Sequence, residues 1–451
     1  MTNSETNELF ETKPISYSLA KMAIPTIVSQ LITLIYNIAD TWFIGQTHNP
    51  YMVGASSIVL TIFLMTAAIA NLFGVGGGNL VVRLIGSQDK NEASKVASLS
   101  LIMAGITALF FSLLCFIFMN PLLTFLGASQ NTIGYAKQYL FFVVIIGAIP
   151  TVLSQTMSSM VRNIGYSKEA GFGLGLGGII NVILDPIFMF LIFPDGYQVA
   201  GAAVATLLAN IITFIYFIFI YQKLKDKTVL SFPHTIEKIR HDSLVSLFSV
   251  GIPAAMSLLL FDLTNIVINK LVAGHGDIQL AAIGIVLKVE RLPLNIGIGI
   301  CLGMTPLVAY NYASQNIKRM HDFFIAARRA GFIISIICVV FYYLCAPIIM
   351  QSFISDSQTI KYGTMFLQSR CFATPFIFLS FHMVHFMQAI DRGKTSFALA
   401  IIRQICLNIP LLFLMNSLFG ISGIVWTQLI ADMLNVMISY IIYFQTWKTT
   451  Q

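Results

Sequence analysis

The chain has 451 residues, of which 57% are hydrophobic and 10% charged, with a formal net charge of +7 and a mean hydropathy of +0.82. A soluble domain carries roughly a quarter charged residues, and so few acidic and basic side chains cannot cover a water-exposed surface of this size, which excludes a single large soluble protein. The basic excess is not a nucleic-acid footprint, because Lys and Arg sit in short loops between apolar runs with no basic stripe of interleaved aromatics.

Residues 1–16 form a polar, acidic N-terminal tail without the basic-then-apolar order of a cleavable signal peptide, so the first apolar run is expected to remain as a span. Roughly twenty residues cross a ~30 Å hydrocarbon core. Twelve runs reach that length, at 17–45, 52–76, 94–119, 134–160, 170–193, 199–222, 243–273, 279–305, 326–350, 362–388, 396–418 and 421–446. They are continuous rather than alternating, which predicts helices and not barrel strands. The polar segment 223–242, broken by Pro233, separates a first lobe at 17–222 from a second at 243–447. The predicted fold class is therefore an all-α integral membrane protein, twelve transmembrane helices in two six-helix bundles, with 223–242 as a cytoplasmic linker.

Charge placement supports that map. With the N-terminus inside, nineteen of the 26 Lys and Arg residues fall in cytoplasmic loops, and Lys137, Lys270 and Lys361 fall outside. Lys288, Arg291, Arg370 and Arg403 lie within spans. Such alternation is what the positive-inside rule requires, and both termini are expected in the cytoplasm. The halves also repeat. AIPTIVSQ from Ala23 resembles GIPAAMSL from Gly251, Asn37 falls opposite Asn265, Gln88 opposite Gln315, Pro150 opposite Pro375, Pro186 opposite Pro410, and Gly201 opposite Gly423. Six-span halves in the same orientation imply an axis along the membrane normal and a cavity between them, an architecture suited to alternating access.

Ionisable groups in the membrane cost on the order of 3 kcal/mol on insertion scales, so each needs a partner, water or a function. In the first span Gln30, Thr33, Asn37 and Asp40 share one helical face, and in the fifth Asn181 and Asp185 are four apart. Thr206 lies in the sixth. If these faces meet, two carboxylates share a dry site with an amide and a hydroxyl, which a proton or a dehydrated Na⁺ would relieve. The alternative is a wet Asp40 and an Asp185 held locally. The second half has Ile268 and Ile409 at the equivalent positions. Its own candidates are Asp262, Asn265, Lys288, Arg291, His382 and His385, for which interhelical pairing competes with a substrate or second coupling role.

The glycines at 74 and 76–78 lack the preceding strand and following Lys of a phosphate loop, leaving close packing or a flexible break. The glycines between 171 and 178 likewise suggest helix contact. Pro25 and Pro253 remove a backbone donor early in their helices and permit bending, and Pro25 is the expected hinge. The six cysteines lie in or beside apolar runs with no CxxC spacing. No nucleophile with its base, metal set or cofactor loop is present, so no enzyme, no cofactor and no structural metal are expected.

IPTIVSQ, NIADTWFIGQ, FGVGGGNLVVRLIGSQD, NVILDP and GAAVAT together resemble the MATE family of multidrug and toxic compound extrusion transporters, and within it the DinF and MepA-like bacterial branch. The resemblance covers nearly the whole chain. It implies a V-shaped pair of lobes in the bacterial plasma membrane that exports organic, often cationic and amphipathic, compounds in exchange for H⁺ or Na⁺. It implies a first-lobe cation site on Asp40, Asn181, Asp185 and Thr206, with substrate near the Gln30, Thr33 and Asn37 face and bending at Pro25. Small molecules and the lipid bilayer are the implied partners, and the monomer the expected unit. Another branch of the family uses second-lobe acids on the seventh and tenth helices; Asp262 is a near match, but the tenth offers only His382 and His385. The rival readings are a lipid-linked sugar flippase, for which a more basic cavity is expected, and a channel, for which matching polar rings in both halves are expected.

Overall fold

The structure is a computed structural model and describes residues 8–230, 232 and 239–448. Residues 1–7 of the N-terminal tail, and residues 231 and 233–238 of the 223–242 linker with Pro233 and Lys238, lie outside the described residues. The described residues form helices and no strands. In chain order these are α1 (Ile15–Gly45), α2 (Pro50–Gly86), α3 (Lys90–Ile117), α4 (Ile133–Ile146 and Ala148–Asn163), α5 (Ser167–Ile192), α6 (Gln198–Leu224), α7 (His241–Ala273), α8 (Asp277–Ala313), α9 (Ile317–Phe353) and α10 (Ser357–Ala389). A last continuous stretch, Gly393–Gln445, is divided at Gly420, whose φ of 59° and ψ of −139° are not helical. It therefore supplies two spans, α11 (393–419) and α12 (421–448).

Local chemistry sets many of these boundaries. Asn49 accepts the amide of Tyr51 at 3.0 Å ahead of Pro50, which suits the first helical position because its N–H is missing. Asp89, Asn316 and Asp356 cap α3, α9 and α10 in the same way. The two parts of α4 meet at 48° around Gly147, where Pro150 cannot donate to the preceding turn and residues Phe141–Ile146 widen into a π-helical turn. Similar wide turns follow Pro186 in α5 and precede Pro410 in α11.

The backbone repeats as the sequence does. Left-handed residues close equivalent turns in the two halves: His48 and Gly276, Gln88 and Gln315, Gly165 and Asp391, Gly196 and Gly420. Their spacings of 228, 227, 226 and 224 residues drift as the sequence matches do.

Wide apolar surfaces face outward, such as Leu109, Phe110, Leu113 and Phe116 on α3 and Ile333, Ile337, Leu344 and Ile348 on α9. Water would not tolerate such a belt, and with the span lengths it makes the chain a multi-pass membrane protein.

Among the described residues, the close contacts between the halves lie on the side carrying the start of α1, which we call proximal. There Ala23 packs against Gly303, Ile27 against Gly299, Leu72 against Gly251 and Leu247 against Gly76, at distances no Cβ on those glycines would allow. Gly76 thus sits inside an unbroken α2: the 74–78 glycines serve close packing, not a break. Met22, Ala23 and Val82 share one apolar cluster with Ile300, Met304 and Leu307. On the distal side the two apolar clusters each draw on one half alone, so among the described residues no shared apolar core joins the halves there.

Two polar contacts reinforce the proximal seal. Arg83, with its side chain 8% exposed, reaches Asp391 across the halves at 2.6 Å, and Ser246 bonds both. The N-terminal tail crosses over as well: Leu9 and Phe10 are buried, Phe10 stacks on Tyr310, and its carbonyl accepts from Asn311 and Arg319.

Candidate functional site

The first-half site is built by glycine. One face of α5, Gly171, Gly175 and Gly178, lies against Pro25, Ile32 and Tyr36 of α1, and another, Gly173 and Gly177, against Phe217 and Thr213 of α6. Without Cβ atoms α5 sits close to both neighbours. Two turns further toward the distal side this brings Asp40, Asn181, Asp185 and Thr206 together.

Asp185 is 0% exposed. Asn181 donates Nδ2 to Asp185 Oδ1 at 3.1 Å and to Thr206 Oγ1 at 3.2 Å. Tyr139 of α4 donates its hydroxyl to Asp40 Oδ2 at 3.3 Å. Asp40 lies within electrostatic reach of Asp185, and among the described residues neither forms an ion pair with an arginine, lysine or histidine. Asp40 Oδ1, Asn181 Oδ1 and Asp185 Oδ2 are buried without a hydrogen-bond partner. Three unused oxygens, two of them anionic, are what a hard cation or a shared proton would use. The sequence reading missed Tyr139 and Tyr36, which is within electrostatic reach of the same carboxylates; a phenol in an apolar run gives no periodic signal.

The remaining first-span residues are placed differently. Asn37 is exposed and donates to the carbonyl of its own Thr33, while Gln30 and Thr33 are half-buried. Pro25 leaves α1 continuous. The hydroxyls of Thr26 and Ser167 both donate to the Met22 carbonyl, at 2.9 and 2.6 Å, which ties this turn to the start of α5.

In the second half charge is paired. Arg291 meets Asp262 at 2.9 Å, Arg370 grips Glu290 through two nitrogens, and Arg403 meets Asp432 at 2.6 Å. Asn265 lines a cavity beside these pairs, and Lys288 is exposed. The ring nitrogens of His382 and His385 bond the carbonyls of Phe324 and Phe381. Both histidines are thus satisfied by backbone rather than gathered with Asp262. Among the described residues no group of three or more His, Cys, Asp or Glu could hold a metal ion.

With this geometry in place, similarity to known proteins is extensive. The multidrug export protein MepA of Staphylococcus aureus is 29% identical over 435 residues, 96% of this chain and 95% of that protein. MepA of Staphylococcus saprophyticus is 28% identical over the same share. A solved outward-facing multidrug resistance MATE family transporter of the MOP superfamily superposes with a TM-score of 0.91 at 21% identity, covering 98% of both chains. At that identity the likeness concerns the fold. The MatE family model matches twice, at residues 25–187 and 253–414, one copy in each half, and the chain belongs to the MATE family.

Proposed function

We propose that the protein is a secondary active efflux antiporter that exports organic, often cationic and amphipathic, compounds in exchange for H⁺ or Na⁺ by alternating access. The observation that carries this reading is the set of unused acceptors Asp40 Oδ1, Asn181 Oδ1 and Asp185 Oδ2, buried in one half on the distal side, where no shared apolar core joins the halves among the described residues. Asp40 and Asp185, assisted by Asn181, Thr206 and Tyr139, bind the coupling cation. Substrate occupies the cleft and the face of Gln30, Thr33 and Asn37. Ion and substrate favour opposite-facing or mutually exclusive states, without which no coupling results.

The lobes of this reading are residues 17–222 and 243–447, joined by 223–242. The proximal side is cytoplasmic, since it carries the basic loops, and both termini lie there. The protein acts as a monomer in the bacterial plasma membrane, without a cofactor and without catalysing a reaction. The names of the staphylococcal relatives support multidrug export. Proteoliposomes loaded with a panel of cationic dyes, under separately imposed Na⁺ and H⁺ gradients, test the scheme. Efflux should follow one gradient and be lost in Asp40→Asn and Asp185→Asn. Full gradient-driven efflux in both variants would sink the assignment of the ion site, and efflux indifferent to either gradient would sink antiport itself.

A further inference from the structure

Arg328 and Arg329 of α9 lie apart from the first-half acids, and among the described residues neither has a carboxylate partner. Arg328 donates Nη1 to the Tyr440 hydroxyl of α12 at 3.2 Å and stands over the rings of Phe324 and Tyr440, 5.7 and 5.9 Å from their centroids. Phe324 in turn stacks on Tyr443 of α12 at 5.0 Å. Side chains thus bridge α9 and α12 and fix the Arg328 guanidinium, whose remaining N–H groups have no acceptor among the described residues. Arg329 is exposed.

Depth places both arginines. Residues 330–350 carry no charge, a run of about 31 Å at 1.5 Å per residue, enough to fill the hydrocarbon core. Arg329 stands immediately before it, at the level of the headgroup phosphates on the proximal side. Deeper in, Phe332 and Ile336 are 41% and 43% exposed on α9, and Met437, one turn deeper than Tyr440 on α12, is 62% exposed. Phe332 follows Arg328 by four residues and Arg329 by three, so one strip of α9 carries cations at its proximal end and apolar groups further in. The repeat does not impose this pattern: at the spacing of 226 or 227 residues that relates the neighbouring turns, the equivalents on α3 are Leu101, Ile102 and Met103. Guanidinium forks match phosphate oxygens in charge and geometry. A ligand that also covers the apolar strip below them is a phospholipid with a negative headgroup.

We propose that Arg328, Arg329 and the Tyr440 hydroxyl form a headgroup site for an anionic phospholipid of the proximal leaflet, its phosphate on the two guanidiniums and its acyl chains over Phe332, Ile336 and Met437. The site lies on the outward, lipid-facing surface of the second half and does not depend on the export reading.

In the test, full-length protein in detergent is titrated with phosphatidylglycerol or phosphatidylcholine of identical chains, and bound lipid is counted by native mass spectrometry. The wild type should hold phosphatidylglycerol ~10-fold more tightly than phosphatidylcholine, and joint Arg328→Gln and Arg329→Gln should abolish that preference. Lys394→Gln, which removes an exposed proximal charge on α11, should leave it intact. Equal retention of the two lipids by the wild type, or a preference that survives in the arginine variant, overturns the proposal. So does an equal loss in Lys394→Gln, which would mean general charge attraction. Inorganic phosphate should not displace the lipid; displacement would mean a site for soluble anions and would also overturn the proposal. If the double variant fails to fold, Arg329→Gln, a change at an exposed side chain, decides alone, with an expected loss of ~5-fold in the preference.

Discussion

The bond between Arg83 and Asp391 joins the two halves on the proximal side, and Asp391→Asn tests whether it holds the cleft shut there. The substitution is conformationally mild: Asp391 has a φ of 63°, a left-handed conformation that Asn also tolerates. It preserves size and an acceptor for Ser246, and removes only the charge facing Arg83 at 2.6 Å. A charge-assisted bond is worth more than a neutral one by about 1 kcal/mol. Because Asp391 is 41% exposed, solvent screens part of even that, so about 1 kcal/mol is the upper expectation. That energy shifts the balance between sealed and opened proximal sides by roughly fivefold. Hydrogen–deuterium exchange on the protein in nanodiscs reads this opening directly. Peptides spanning 76–92, 243–251 and 384–394 should exchange up to roughly fivefold faster, with Arg83→Gln giving the same pattern and the double variant no more than either alone. Exchange that is unchanged, or raised equally in distal peptides, would refute a role for this pair in the seal.

Other substitutions probe the remaining contacts. Phe10→Ala removes a buried ring stacked on Tyr310; about 3 kcal/mol of lost packing should lower the thermal midpoint and expose the tail to added protease. Arg403→Met alone strands Asp432, which is 0% exposed, and should destabilise by about 3–5 kcal/mol, whereas Arg403→Met with Asp432→Leu should recover much of that loss in a denaturation series. Ser167→Ala deletes the bond to the Met22 carbonyl and should loosen α1 near Pro25, seen as faster exchange in 20–30 with little change in 198–224. At the start of α10 the Thr359 hydroxyl and amide hold the Asp356 carboxyl below its usual range. The stabilisation from a lowered carboxyl is fully present above the ordinary Asp pKa and is lost as pH falls through the lowered value. Exchange at 357–360 should therefore rise only in strong acid, and Asp356→Asn should flatten that rise.

The spans, their repeat and the pairing of Asp40 with Asp185 were legible because membranes enforce long apolar runs and make every intramembrane charge informative. The last two spans were visible as separate runs at 396–418 and 421–446, and the backbone breaks between them at Gly420. Tyr139 was hidden because a phenol in an apolar helix is also ordinary packing. The tail carried Leu9 and Phe10 within a polar stretch, too short a signal to distinguish an anchor from chance. The Arg403–Asp432 pair and the Arg370–Glu290 fork were not visible, since no spacing rule relates residues on different helices.

The packing also limits what the proposed ion site could act upon. Asp40 lies about 25 Å along α1 from Ala23, at 1.5 Å per residue, and Ala23 is in the proximal seal against Gly303. Between them α1 and α5 are stitched together by Ser167 at Met22 and by Gly171, Gly175 and Gly178 against Pro25, Ile32 and Tyr36. A change of charge at Asp40 and Asp185 therefore cannot part the two helices along their proximal length without breaking that close contact. In the proposed scheme it would act where the stitching ends, on the distal segment of α1, whose Ile35, Ile38 and Trp42 are exposed. If the ion drives the seal, α1 and α5 must carry the signal as one unit, and a Gly171→Val variant, which forces them apart against the Pro25 carbonyl, should uncouple ion binding from proximal opening while leaving Asp40 and Asp185 in place. Measured ion-dependent exchange in 243–251 would then vanish; its persistence would mean that the signal runs through α4 and Tyr139 instead.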